Sequence, residues 1–163
     1  MQGKGCFNVV VPTLILALML LMWPLPDWLA YLRPDFVSMV LIYWVLALPE
    51  RVGVAVAWVV GLLLDVTHGA ILGQHALGLV LVVFIVQLEY QRIRVFSLVQ
   101  QALVVFVLLM IKQVLVLWVS GLVGQAPPLQ YYFLPSLAGA LFWPWLFLLL
   151  RNLRRRFSVS KSF

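Results

Sequence analysis

The chain has 163 residues, 65% of them hydrophobic and 10% charged, with a mean hydropathy of +1.11. Soluble globular domains carry roughly 25% charged residues, so this composition excludes one and describes an integral membrane protein with no room for a sizeable soluble domain. The net charge of +6 does not point to nucleic acid, because the cations stand at the ends of apolar runs, where they set topology and meet anionic headgroups.

A membrane-crossing helix needs about 20 apolar residues for a hydrocarbon core of ~30 Å. The first predicted helix is Phe7–Trp23, between Lys4 and the pair Pro24 and Pro26. WPLPDW offers no small-residue cleavage site, so this run is expected to be retained rather than removed as a signal peptide. Cys6 stands before it as a lone thiol, without the apolar lead a lipidation box requires. The second helix is predicted at Phe36–Leu48 and the third at Val52–Val66. Joined, they would make a helix of ~46 Å, and Pro49-Glu50-Arg51 divides them with a polar turn. The fourth is expected at Ala70–Leu88 and the fifth at Phe96–Val123. The sixth, Tyr132–Leu150, follows a proline-bearing loop at Gly124–Gln130 and precedes RNLRRRF.

Six spans gather Lys4, Arg51, Arg92, Arg94, Arg151, Arg154, Arg155, Arg156 and Lys161 on one side and leave Arg33 on the other, with Lys112 inside the fifth helix. The positive-inside rule then puts both termini in the cytoplasm. The polar residues thereby acquire a depth. Arg33 and Asp35 open the second helix at the outer face, Asp65 closes the third, and His68, Gln74 and His75 bridge to the fourth. Lys112 lies ~24 Å along the fifth, in the same outer layer.

A charge at the bilayer centre costs at least about 2.5–3.5 kcal/mol on insertion scales. Asp65 also sits at the negative end of a helix dipole, so it is expected to pair with Lys112 or Arg33. Three readings of it stay open: an ion pair fixing helix packing, a group facing a cavity or partner, and a catalytic carboxylate. The last lacks a second acid in a pairing motif. A metal held by His68, His75 and Asp65 lacks an H-x-x-x-H spacing or a cysteine ligand, and a helix break expected at Gly69 separates the histidines; interfacial hydrogen bonding is the alternative. Gly61, Gly69, Gly73 and Gly78 suit close helix approach, and Gly69 and Gly73 also suit a turn. No nucleophile elbow, P-loop or dinucleotide fingerprint occurs, so neither an enzyme nor a cofactor is expected. Arg151, Arg154, Arg155 and Arg156 read as an anchor for anionic headgroups, at ~1 kcal/mol per cation, or as a contact for an acidic cytoplasmic partner.

RPDF at 33–36, YWVLALPERVGV at 43–54, GLLLDVTHGAILGQHALG at 61–78, QQALVV at 100–105 and LFWPWLFLLLRNLRRRF at 141–157 resemble the MreD family of rod shape-determining proteins of Gram-negative bacteria. The resemblance runs over almost the whole chain, although Lys112 matches no family motif. It implies an inner-membrane scaffold of the cell-elongation machinery that is not an enzyme. Such a scaffold binds MreC, supports RodA with a class B penicillin-binding transpeptidase, and works alongside MreB filaments. The resemblance also implies an all-α, six-helix membrane bundle similar to the substrate-binding components of energy-coupling factor transporters. That likeness carries the alternative function, a small-molecule or lipid carrier whose outward pocket Asp65, His68, His75 and Lys112 would line. Two surfaces are candidates for the membrane helix of MreC. One is the region from Gly61 to Gly78. The other is the Leu141–Leu150 run with Trp143, Pro144 and Trp145, where Pro144 is expected to kink or cap the helix.

Overall fold

A computed structural model describes residues 4–30, 32–69, 71–124 and 132–159, and its regular structure there is entirely helical. Among the described residues the helices are α1 (Lys4–Met22), α2 (Asp27–Ala30), α3 (Phe36–Ala47), α4 (Val54–His68), α5 (Gln74–Val95), α6 (Leu98–Val123) and α7 (Leu134–Val159). The loop at 125–130, the helix start expected at Ala70, Lys161 and the side chains of Lys4 and Cys6 lie outside the described residues. α5, α6 and α7 are long and apolar enough to cross a membrane, whereas α1, α3 and α4 are apolar but shorter.

Helix ends and apolar-run ends do not coincide. α5 continues past Leu88 to Val95, and α7 past Leu150 to Val159. Glu89, Arg92 and Arg94 are sound helix formers, and Glu89 pairs with Arg92 one turn on at 3.2 Å. Polarity therefore marks where a membrane would end rather than where the helix ends. α2 is a single turn that the apolar reading did not anticipate, with Asp27 in its first turn, where the helix dipole favours an acid.

α3 lies at the centre. All its residues from Val37 to Leu46 are buried, against α1, α5, α6 and α7. Its sequence, FVSMVLIYWVLA, has no polar face, as a fully enclosed helix requires. At ~18 Å it is shorter than a hydrocarbon core, and both its ends are met by side chains from elsewhere. At the C-terminal end Arg94 donates from Nε to the Leu46 carbonyl at 2.5 Å and from Nη2 to the Ala47 carbonyl at 3.0 Å. Arg33 performs the same task for α1, donating to the carbonyls of Leu21 and Trp23. Each arginine satisfies carbonyls that a helix end leaves orphaned, at the pole where a cation is favoured.

Close approach between helices is set by small residues. A Cβ at Gly61 would lie 2.2 Å from the Cα of Ala76, so α4 meets the α5 backbone there. A Cβ at Gly78 would come within 2.9 Å of Cγ of Lys112 on α6. α7 packs on α6 and runs through Pro144 to Val159, so the proline does not cap it. Nor do the two flanking tryptophans share an outer surface. Trp143 is fully buried and donates from Nε1 to Oε1 of Gln101 at 3.5 Å, whereas Trp145 is 78% exposed.

Candidate functional site

Asp65 is fully buried in the last turn of α4. The chain then reverses through Gly69 (φ 63°) and Gly73 (φ 100°), both left-handed, a conformation costing residues with a Cβ roughly 1–2 kcal/mol. Nothing lies within 4 Å of a Cβ at either glycine, so the backbone angle, not space, requires them. The turn lays the start of α5 over the Asp65 carboxylate. Oδ2 accepts from the Gly73 N–H at 2.7 Å. Oδ1 accepts from the His75 N–H at 2.7 Å and from His75 Nδ1 at 2.8 Å. The acid thus caps α5, and the positive pole of that helix offsets the negative pole of its own.

The expected pairing of Asp65 with Lys112 or Arg33 is therefore corrected. Depth along a helix places residues in one layer but does not say which way each side chain points. Lys112 is buried and turns toward α3, where Nζ donates to Oδ2 of Asp35 and, at 2.7 Å, to Oγ of Ser38. Asp35 is the N-cap of α3, accepting from the Ser38 N–H at 3.3 Å and from the Ser38 hydroxyl at 2.7 Å. The three side chains close a triangle between α3 and α6. Ser38 was missed in the sequence, although a polar residue three after an N-cap Asp is a readable capping signal.

The same stretch of α6 carries further polar ties. Gln74, at the start of α5, donates from Nε2 to the Val116 carbonyl at 3.0 Å and to the Ser120 hydroxyl. Gln113 accepts at Oε1 from the Ser136 hydroxyl of α7, and its carbonyl accepts from the Tyr132 hydroxyl at 3.2 Å. Residues 112–120 of α6 thus fasten α3, α5 and α7 at one level.

His68 directs Nδ1 to the Leu64 carbonyl at 2.9 Å and stacks on His75, ring centroids 4.8 Å apart and 16° from parallel. Among the described residues no group of three or more His, Cys, Asp or Glu side chains is placed to hold a metal ion. Lys112 beside Ser38 has the composition of a base and a nucleophile. Ser38 is fully buried, however, and the amine is held by a carboxylate, so neither is offered to a substrate. At the other end of α7, Arg154, Arg155 and Arg156 are exposed and Arg151 is half-buried, all on the helix that continues from the apolar run.

The polar layer falls within a recognised family. Residues 4–153 match the family described as rod shape-determining protein MreD. The chain belongs to the MreD family. A relative from Haemophilus influenzae, named rod shape-determining protein MreD, is 34% identical over 142 residues, which is 87% of this chain and 88% of the relative. Family membership gives the chain a role in rod shape determination. No solved structure matches.

Proposed function

We propose that the chain is a six-span scaffold of the bacterial inner membrane, with both termini in the cytoplasm. It binds the membrane helix of MreC and so supports the peptidoglycan synthase formed by RodA and a class B penicillin-binding transpeptidase, with MreB filaments as indirect partners. One observation carries this reading. The deep polar groups are spent on joining helices of the chain itself, Lys112 on α3 and Asp65 on the start of α5. A carrier would need Asp65, His68, His75 and Lys112 around one cavity. They fall instead into two separate clusters, which favours the scaffold. α1, α3 and α4 would cross as shorter spans beside α5, α6 and α7, and Arg151, Arg154, Arg155 and Arg156 would hold anionic headgroups at the inner face.

The contact with MreC moves with this reading. Gly61 is filled by Ala76 and Gly78 by Lys112, so these two helix glycines are not open to a partner helix, while Gly69 and Gly73 serve the turn. On α7, Leu141, Trp145, Leu148 and Leu149 are exposed at helical spacing, and an exposed Trp is a common anchor of interfaces. The proposal puts MreC on that face. Depleting the chain from a rod-shaped host tests the function. Cells should round and should return to rods on re-expression. Rods that persist through complete depletion would contradict the role.

A further inference from the structure

Tyr43 stands one turn before the end of α3 and is only 2% exposed. Its ring meets Trp44 and, on α7, Phe147 edge-on, at centroid distances of 5.3 and 5.4 Å. A buried tyrosine normally gives its hydroxyl a partner. Here the hydroxyl makes no hydrogen bond among the described residues, and it is not sealed off either, so it opens onto its surroundings. The charges that act on it are Arg154, Arg151 and Arg155 of α7.

Those three arginines form one group. Arg154 and Arg155 follow Arg151 by three and four residues, so the three share a side of α7, the side on which Phe147 meets Tyr43 one turn earlier. Arg156 projects roughly 100–160° away from them around the helix. No ion pair among the described residues includes Arg151, Arg154 or Arg155. Along the axis they stand ~1.5–7.5 Å past Leu150, where the apolar run of α7 ends. A headgroup layer is ~5–7 Å thick on each side of the hydrocarbon, so the group lies at the depth of lipid phosphates.

We propose that Arg151, Arg154, Arg155 and the Tyr43 hydroxyl form one site for the terminal phosphate of a membrane lipid, a phosphomonoester such as phosphatidic acid. The inference rests on the reading of these arginines as headgroup contacts and adds what the site selects. A phosphomonoester carries roughly −1.5 to −2 charges and three free oxygens, enough for three guanidiniums and an O–H donor together. A phosphodiester offers one charge and two free oxygens.

The test uses the full-length protein, delipidated in detergent and offered phosphatidic acid, phosphatidylglycerol and phosphatidylcholine, with retained lipid counted by native mass spectrometry. Phosphatidic acid should be retained about tenfold over phosphatidylglycerol, the scale of one added hydrogen bond to a charged group. Tyr43→Phe removes only the hydroxyl. It should equalise the two anionic lipids while leaving both above phosphatidylcholine and the thermal midpoint unchanged. Arg154→Gln, at an exposed position, should abolish the preference as well, whereas Arg156→Gln should keep it. Equal retention of the two anionic lipids by the wild type would overturn the proposal alone. So would a preference that survives Tyr43→Phe, or one that Arg156→Gln removes as fully as Arg154→Gln. If neither anionic lipid exceeds phosphatidylcholine, the headgroup reading itself falls and takes the inference with it. Displacement of phosphatidic acid by millimolar inorganic phosphate would make the ligand a soluble anion. An acidic peptide that binds through Tyr43 while the two lipids are retained equally would make it a protein. Either result overturns the lipid site.

Discussion

Lys112 ties α6 to Asp35 and Ser38 at the start of α3. A buried ion pair adds little stability relative to a well-packed apolar replacement, but removing one partner is expensive, at about 3–5 kcal/mol. Asp35 keeps 21% side-chain exposure and so regains some water when orphaned. Lys112→Met is therefore expected to cost near the low end, about 3 kcal/mol. In a double-mutant cycle read by thermal unfolding in detergent, Lys112 and Asp35 should couple by more than about 1 kcal/mol, and Lys112 and Asp65 by less than about 0.5. The reverse pattern would restore the pairing that depth alone suggests. Asp65→Asn leaves a single acceptor oxygen for three N–H donors. It should lower stability by about 1.5–3 kcal/mol and weaken rod-shape complementation at equal protein level. Full complementation by a variant of unchanged stability would show that the cap has no such role.

Among elements, what the sequence discloses divides by physics. The apolar runs, the divide at Pro49-Glu50-Arg51 and the reversal at Gly69 were readable, because proline, glycine and charge act locally. The centrality of α3 was not. In a membrane protein lipid and core are equally apolar, so a helix without a polar face is as compatible with the outside as with the middle. The direction of Lys112 was hidden for a related reason, since depth is linear in sequence but azimuth depends on neighbours. Gly61 and Gly69 look alike in sequence yet act differently. Gly61→Ala is expected to cost about 1–3 kcal/mol by overpacking against the Ala76 backbone. At Gly69 only the backbone angle matters, so Gly69→Asn should be milder than Gly69→Ala, because Asn tolerates the left-handed region. Thermal midpoints of the three variants check this, and a harmless Gly61→Ala would deny the close contact.

At the scale of the whole molecule, polar contacts fasten the bundle near the α4–α5 turn, arginines cap α1 and α3, and α7 carries its basic residues on an unbroken helix. The polar contacts and the capping arginines look inward, whereas Arg154, Arg155 and Arg156 are exposed. The family was legible from residues spread along the chain, since its motifs are the same capping and turning devices: RPDF supplies Arg33 and Asp35, and the stretch from Gly61 to Gly78 supplies the Asp65 cap. Which tryptophan faces outward was not legible, because Trp143 and Trp145 flank the same proline and only packing sends one inward. The scaffold account is tested most directly by purifying the chain from detergent-solubilised membranes and quantifying MreC by mass spectrometry. The wild type should carry MreC, and Trp145→Ala should lose most of it while keeping its thermal midpoint. A wild type that restores rod shape yet recovers no MreC would contradict the account.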